Sequence, residues 1–320
     1  MRADPEDQLT DIPSAHPTAH PGRLPNLVIA GVTKAGTTSL FRYLAQHPDI
    51  QPADEKELRH FLPLRYDEPI GTLEEYAAHF AGWSGQRYSM EASPGYFYGG
   101  AKVAGPMSAA LPDVKVIVLL REPGQRALSF FNFMRSRATL PQDAAFEPWL
   151  DKAMALVAEG TDQDRANHPW SGVGTSMYDR WLEEWIDIFG DRLLILFFDD
   201  LASAPRLTVQ RVCAWLGIAA DPADDFDYEI ENKTRQFRFS RLQKTALRVN
   251  RANVHFLERH PRVKRSIRRA YFLVNFQRNN SGMAPATRER LDAFYRPTRE
   301  RVLAALRPAE RASAPHWLTK

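Results

Sequence analysis

Hydrophobic and polar positions along the chain follow two patterns. Residues 27–32 (LVIAGV), 114–120 (VKVIVLL) and 193–198 (LLILFF) are near-continuous apolar runs, as strands covered on both faces require. Elsewhere apolar residues recur at helical spacing. Leu40, Tyr43 and Leu44 share one face of a helix over 39–46, which His47 and Pro48 end. Pro123 suits the first turn of a helix that runs on through GQRALSFFNFMRS. Tyr178, Trp181, Leu182, Trp185, Ile188 and Phe189 line one face of 177–189, with Gly190 as the stop. Residues 206–218 (RLTVQRVCAWLGI) give another helix. Apolar strands alternating with helices predict an α/β fold, a P-loop-like central parallel β-sheet flanked by helices on both faces. Residues 1–25 hold five prolines and few large apolar groups, so a disordered tail is expected there and a single domain over 26–320.

Composition adds limits. The chain has 320 residues, 44% hydrophobic and 25% charged, enough for a sizeable core. No run approaches the roughly 18 apolar residues of a membrane span, and the N-terminal stretch lacks the apolar segment of a secretory signal. The single cysteine, Cys213, excludes an internal disulfide and a thiolate metal cluster, and its apolar neighbours Val209, Val212 and Leu216 mark it as core. The expected location is the cytoplasm. Net charge is +3, but residues 235–278 carry thirteen Lys/Arg and one acid, Glu258, leaving −9 on the remainder. Within that basic stretch Val263, Ile267, Ala270, Tyr271 and Val274 form one stripe with basic residues opposite. The 235–280 segment reads either as a solvated basic helix or as a peripheral contact for an anionic membrane or an acidic glycan. Nucleic acid is not the expected partner.

The chemistry starts at LVIAGVTKAGTTSLFRYLAQHP, residues 27–48. Gly31 and Gly36 have the spacing of a Walker A loop, but Thr37 and Thr38 stand where its Lys and Ser/Thr belong, and the lysine has moved forward to Lys34. A strand–turn–helix with small residues exposes backbone N–H groups at a helix start, a site for a tetrahedral anion. Lys34 adds a point charge, and Thr37 and Thr38 add hydroxyls. A second group lies in VIVLLREPGQRALSFF: Arg121 at the end of a strand and Ser129 eight residues on, in the next helix. Ligands of open α/β sheets bind beyond the strand ends, and the planar fork of an arginine suits a phosphate. Taken alone, Arg121 reads equally as a surface salt-bridge partner.

Together the two stretches resemble the cofactor motifs of sulfotransferases that use 3′-phosphoadenosine 5′-phosphosulfate (PAPS). The resemblance implies that Lys34, Ala35, Gly36, Thr37 and Thr38 hold the 5′-phosphosulfate, and that Arg121 and Ser129 hold the 3′-phosphate. It extends to EKELRHFL, similar to the KE-x-x-F segment of Golgi heparan-sulfate sulfotransferases and their bacterial relatives, where the glutamate is the catalytic base; here that is Glu57. MEASPGYF resembles the EKTP-x-YF stretch lining the acceptor cleft, with Ala92 in place of its lysine. Glu122 stands where Asp or Asn is commoner. GTSMYDRWLEEWIDIFGDRLLILFFDDL and ENKTRQF also look like that group, so the likeness covers residues 27–234.

The implied reaction moves a sulfuryl group from PAPS to a hydroxyl of a carbohydrate or glycolipid acceptor, with no metal required. Glu57 is the expected general base, and burial is expected to raise its pKa. His60 is the rival base; in the resembling segment a histidine often sits two after the glutamate, a slot filled here by Arg59, so His60 is read as support for Glu57 or for the acceptor. Phe61, Tyr96, Phe97, Tyr98 and Trp170 suit sugar faces or plain core. Two other readings stay open. A P-loop kinase or NTPase would take Asp199 or Asp200, after LLILFF, for Mg²⁺, against the missing Walker A lysine. A non-catalytic module would bind nucleotide or polyanion through its basic segment.

Overall fold

The computed structural model describes residues 23–228, 236–237, 276–277 and 283–319. Its elements in chain order are β1 (Leu27–Gly31), α1 (Thr37–Leu44), β2 (Ile50–Pro52), α2 (Leu73–Ala78), β3 (Tyr88–Ala92), α3 (Ala101–Ala110), β4 (Lys115–Leu120), α4 (Pro123–Ser136), α5 (Phe146–Ala158), α6 (Leu182–Phe189), β5 (Leu193–Phe197), α7 (Phe198–Ser203) and α8 (Pro205–Leu216). Then follow β6 (Gln236–Phe237), β7 (Phe276–Gln277), α9 (Pro285–Ala305), α10 (Pro308–Ala312) and α11 (His316–Thr319). Residues 1–22 of the expected tail, and the 235–280 segment apart from β6 and β7, lie outside the described residues.

Five strands form one parallel sheet in the order β2-β3-β1-β4-β5. The expected parallel sheet is therefore present, and β1, β3 and β5 are buried at every position. The chain leaves β1 toward β3 and β2, then crosses back to β4 and β5, so the reversal of strand order falls between β1 and β4. That is the crevice where open α/β sheets take ligands, and the loops after β1 and β4 both end there.

The sequence expectations for β1, α1, β4, α4, β5 and α8 are met within two residues at most ends. Three differences have physical causes. Residues 174–176 and 178–180 form 3-10 turns, and the α-helix begins only at Leu182; Thr175, Ser176 and Tyr178 are drawn inward as polar partners of the neighbouring site. After β5 the chain turns directly into α7, so Asp199 and Asp200 lie in a helical first turn. The third is β3, which the apolar-run pattern misses because it carries Ser89 and Glu91, both fully buried. Glu91 is tolerated there because Tyr76 Oη donates to its Oε1 at 2.7 Å and Ser93 Oγ to its Oε2 at 2.8 Å.

One core cluster joins the sheet to α1, α3, α6 and α8, and includes Cys213, as expected. A second joins α4, α5 and α9 around Phe130, Phe131, Trp149, Leu291 and Tyr295. α4 contributes Phe130, Phe131 and Met134 to this second cluster.

Candidate active site

The loop between β1 and α1 is shaped by its glycines. Gly36 has φ of 90°, and a Cβ there would meet Leu201 at 3.0 Å and Phe198 at 3.1 Å, so only glycine fits the turn into α1. At Gly31 a Cβ would lie 2.6 Å from Phe97 Cβ. α1 begins with no side-chain cap. The amides of Lys34, Gly36, Thr37 and Thr38 have no acceptor among the described residues, whereas Thr33 N donates to Tyr98 Oη at 3.0 Å. A helix start with several open N–H groups is an anion cradle.

Lys34 enters this cradle from a left-handed backbone position, φ 72°. Its ammonium lies 4.6 Å from the Phe133 ring centroid and makes no ion pair among the described residues. Burial, then Arg121 and Arg126, push its pKa down to about 8. Arg121, at the end of β4, donates from Nη1 to the Lys34 carbonyl at 3.0 Å and stacks 4.3 Å from the Phe198 centroid. The two motifs thus meet on one side of the sheet. Ser129 is half-buried on α4, one helical turn from Arg126 and one from Phe133, and among the described residues it has no hydrogen-bond partner. Glu122 caps α4, its carboxylate accepting from Gly124 N at 2.7 Å and Gln125 N at 2.6 Å, which accounts for an acid at that position.

Glu57 lies on the 53–62 segment that runs beside β3. Its amide donates to Ala92 O at 3.1 Å, the Arg59 amide donates to Ser93 Oγ at 3.0 Å, and the Phe61 amide donates to Tyr96 Oη at 3.3 Å. Glu57 and Arg59 both take positive φ, 68° and 60°, a strained backbone pinned by those bonds. Lys56 Nζ donates to Glu57 Oε1 at 3.1 Å and Arg59 Nη2 to Oε2 at 2.8 Å. Here the expectation fails: burial pushes the carboxylate pKa up, but Lys56 and Arg59 together outweigh it, and the net shift is downward. Glu57 is close enough to Lys34 to act on it electrostatically.

His60 is not joined to Glu57. Its ring stacks on Tyr76 at 4.2 Å and 5°, its Nε2 is buried without a partner among the described residues, and burial lowers its pKa. Of the aromatic residues, Phe61, Tyr96, Phe97 and Tyr98 are buried in the core, and only Trp170 is half-buried, with Lys152 Nζ 3.6 Å from its centroid. Asp199 Oδ2 accepts from Trp317 Nε1 at 3.1 Å.

The site also holds two residues that the sequence does not single out, Arg126 and Ser93. Arg126 is fully buried between the two motifs, and Ser93 braces the 53–62 segment; Tyr98, read as core or sugar-facing, is core and also braces the first loop. A spacing signal exists for Arg126, which shares a helix face with Ser129; for Ser93 there is none, because its partner Arg59 is distant in sequence.

Comparison with known proteins follows the same line. Residues 24–302 match the family described as "Sulfotransferase domain". Human heparan sulfate glucosamine 3-O-sulfotransferase 3B1 is 28% identical over 243 residues, 73% of this chain and 58% of that protein. Mouse heparan sulfate glucosamine 3-O-sulfotransferase 6 is 26% identical over 276 residues, 86% of this chain and 70% of that protein. The chain spans about half the length of several curated relatives it matches, 58%, 49% and 55% for three of them. The crystal structure of a sulfotransferase from Alicyclobacillus acidocaldarius shares the fold, with a TM-score of 0.61 at 24% identity, covering 88% of this chain and 95% of that one. With the family matched over 24–302, the chain belongs to the sulfotransferase-domain family.

Proposed function

We propose that the protein transfers the sulfuryl group of PAPS to a hydroxyl of a carbohydrate acceptor. The observation that carries this reading is the 3.0 Å bond from Arg121 to the Lys34 carbonyl, which sets two cationic groups and a row of open amides around one crevice, with Glu57 within electrostatic reach. The donor set consists of N–H groups, an ammonium, a guanidinium and hydroxyls, and this suits a bisphosphate-like anion.

In this reading Lys34, the open amides of Lys34, Gly36, Thr37 and Thr38 and the hydroxyls of Thr37 and Thr38 hold the 5′-phosphosulfate, while Arg121 and Ser129 hold the ribose 3′-phosphate; the Ala35 amide, expected in this set, donates instead to Val32 O at 3.2 Å. Glu57 accepts the proton of the acceptor hydroxyl. The acceptor oxygen attacks sulfur in line, a new S–O bond forms, and the bond from sulfur to the bridging oxygen breaks. The electron pair stays on the 5′-phosphate, where Lys34 and the loop amides are preorganised to stabilise it. Because Lys56 and Arg59 hold Glu57 ionised, it is ready to accept a proton, but its low basicity requires those pairs to loosen as the acceptor enters. The resemblance to heparan sulfate glucosamine 3-O-sulfotransferases supports a sugar hydroxyl as acceptor; cytoplasmic location and contact of 235–280 with a glycan or membrane belong to the same proposal.

The test has two parts. Adenosine 3′,5′-bisphosphate without magnesium is expected to raise the melting temperature, and Mg-ATP is not. Labelled sulfate from PAPS is then expected to appear on members of a carbohydrate panel. Stabilisation by Mg-ATP alone would replace this reading with a P-loop NTPase.

A further inference from the structure

Among the described residues Arg126 is the largest charged side chain that is fully buried, and the reaction above gives it no task. All five N–H donors of its guanidinium are satisfied: Nε donates to Ser176 Oγ at 2.8 Å, Nη1 to Thr33 O at 3.1 Å and Tyr98 Oη at 3.2 Å, and Nη2 to Gly172 O at 3.0 Å and to Thr175 Oγ1. Every one of these acceptors is neutral, and among the described residues no carboxylate pairs with Arg126. Burying a cation without an acid is costly, and neutral donors would bind the same carbonyls and hydroxyls at less cost. The charge itself therefore needs a reason.

Its position supplies one. Arg126 holds the Thr33 carbonyl, immediately before Lys34, and the same Tyr98 hydroxyl that accepts the Thr33 amide. It sits on α4 between Arg121 and Ser129. Three cations, Lys34, Arg121 and Arg126, converge there with no ion pair among the described residues. We propose that Arg126 is a positioning residue of the donor site: it latches the first loop to α4, and its uncompensated charge adds a fixed positive field at the anion cradle, for which the bound dianion serves as counter-ion. This rests on the anion-cradle reading of the loop. The groups acting on the Lys34 ammonium are Arg121 from the end of β4, Arg126 from α4, and Glu57 and Lys56 from the 53–62 segment, with the Phe133 ring of α4 beneath it.

The experiment reads Lys34 directly, in the full chain without nucleotide, by competitive labelling with acetic anhydride across pH and peptide mass spectrometry. In the parent protein Lys34 titrates near about 8. In Arg126→Met the titration moves upward, and affinity for adenosine 3′,5′-bisphosphate falls by about tenfold or more. Arg126→Lys, which keeps charge but loses the fork, leaves the titration in place. Since Arg126→Met can fail to fold, Thr175→Asp neutralises the guanidinium where it stands, with Thr175→Val as control; Asp is expected to move Lys34 upward and weaken the nucleotide, and Val to leave Lys34 in place. An unmoved Lys34 in both Arg126→Met and Thr175→Asp, or in Thr175→Asp alone where the other does not fold, overturns the proposal. If the parent shows no affinity for the bisphosphate, the donor assignment fails, while the labelling result still decides the role of Arg126.

Discussion

The 32–38 loop and the 53–62 loop solve opposite electrostatic problems within reach of each other. Each places its key residue in a left-handed backbone that side chains avoid, Lys34 at φ 72° and Glu57 at φ 68°. The first gathers cations and leaves them unpaired: Lys34, Arg121 and Arg126 have no acid in ion-pair contact among the described residues, and the pKa of Lys34 falls to about 8. The second neutralises its own charge, since Glu57 is paired with Lys56 and Arg59 and its pKa is held down. One loop is strained by charge until an anion arrives; the other is at rest until an acceptor disturbs it. Substitutions in the first should therefore trade stability against binding, and substitutions in the second should change chemistry with donor binding intact.

The sharpest break of this symmetry is Glu57→Gln. It removes the proposed proton acceptor and keeps the shape, so kcat is expected to fall by about 10²–10⁴-fold, with stabilisation by adenosine 3′,5′-bisphosphate unchanged. Loss of that stabilisation would mean Glu57 belongs to the donor side. Lys34→Met comes next. Loss of one preorganised charge on the leaving phosphate is expected to cost about 10²–10³-fold in kcat, and donor affinity falls with it. The same change should raise the melting temperature of the free protein. A lysine held near 8 against its ordinary 10.5 costs the fold on the order of 3 kcal/mol while charged. The sign follows from linkage: the unfolded chain binds the proton more tightly, so this cost is fully present below about 8 and fades as pH rises toward the unfolded value. A melting temperature for Lys34→Met equal to or below the parent's at pH 7 would contradict the strained-loop picture.

How much of this was legible in the sequence follows from how local each signal is. The shape of the 31–38 loop was, because Gly31, Lys34, Gly36, Thr37 and Thr38 fall within eight residues and their glycine spacing has a geometric cause. So was the placement of Arg121 at a strand end and of Ser129 on the next helix, because both are set by a short apolar run and Pro123; their role toward the donor stays a proposal. Arg126 lies in the same stretch, but its meaning depends on Thr33, Tyr98, Gly172, Thr175 and Ser176, which only the fold assembles. β3 escaped because a buried strand with Ser89 and Glu91 does not look apolar; the Glu91 carboxylate is matched by Tyr76 from α2 and by Ser93 just past the strand. The direction of the Glu57 pKa is not legible, because burial alone points upward and the turn at positive φ that folds Lys56 and Arg59 back onto the carboxylate leaves no mark in composition.

A smaller effect is expected where the second loop is braced. Ser93→Ala removes the hydroxyl that accepts from the Arg59 amide and donates to Glu91. The Arg59 N–H and the buried Glu91 oxygen each lose a partner, and the positive-φ turn loosens. Misplacement of the base should lower kcat by about tenfold, with KM for PAPS unchanged. Thermal stabilisation by the bisphosphate should be that of the parent, because among the described residues no hydrogen bond joins the Ser93 side chain to the 32–38 loop.

The finest distinction between the two loops is in pH. Arg59 is the more exposed of the two cations on Glu57, at 61% against 19% for Lys56, so solvent screens much of its attraction. Arg59→Ala removes one charge-assisted bond and lets the Glu57 pKa rise toward the ordinary carboxylate value. The acid limb of kcat/KM is expected to move upward by less than about one pH unit, while the basic limb, set by Lys34 near about 8, stays where it is. The stability effect has the same sign: a depressed carboxylate pKa stabilises the fold above the unfolded value and loses that contribution as pH falls through the folded one. Parent and Arg59→Ala should therefore differ in melting temperature at pH 7 and converge in acid. Movement of the basic limb instead of the acid one would show that Arg59 acts on the lysine cradle, and the separation between a charged loop and a self-neutralised one would not hold.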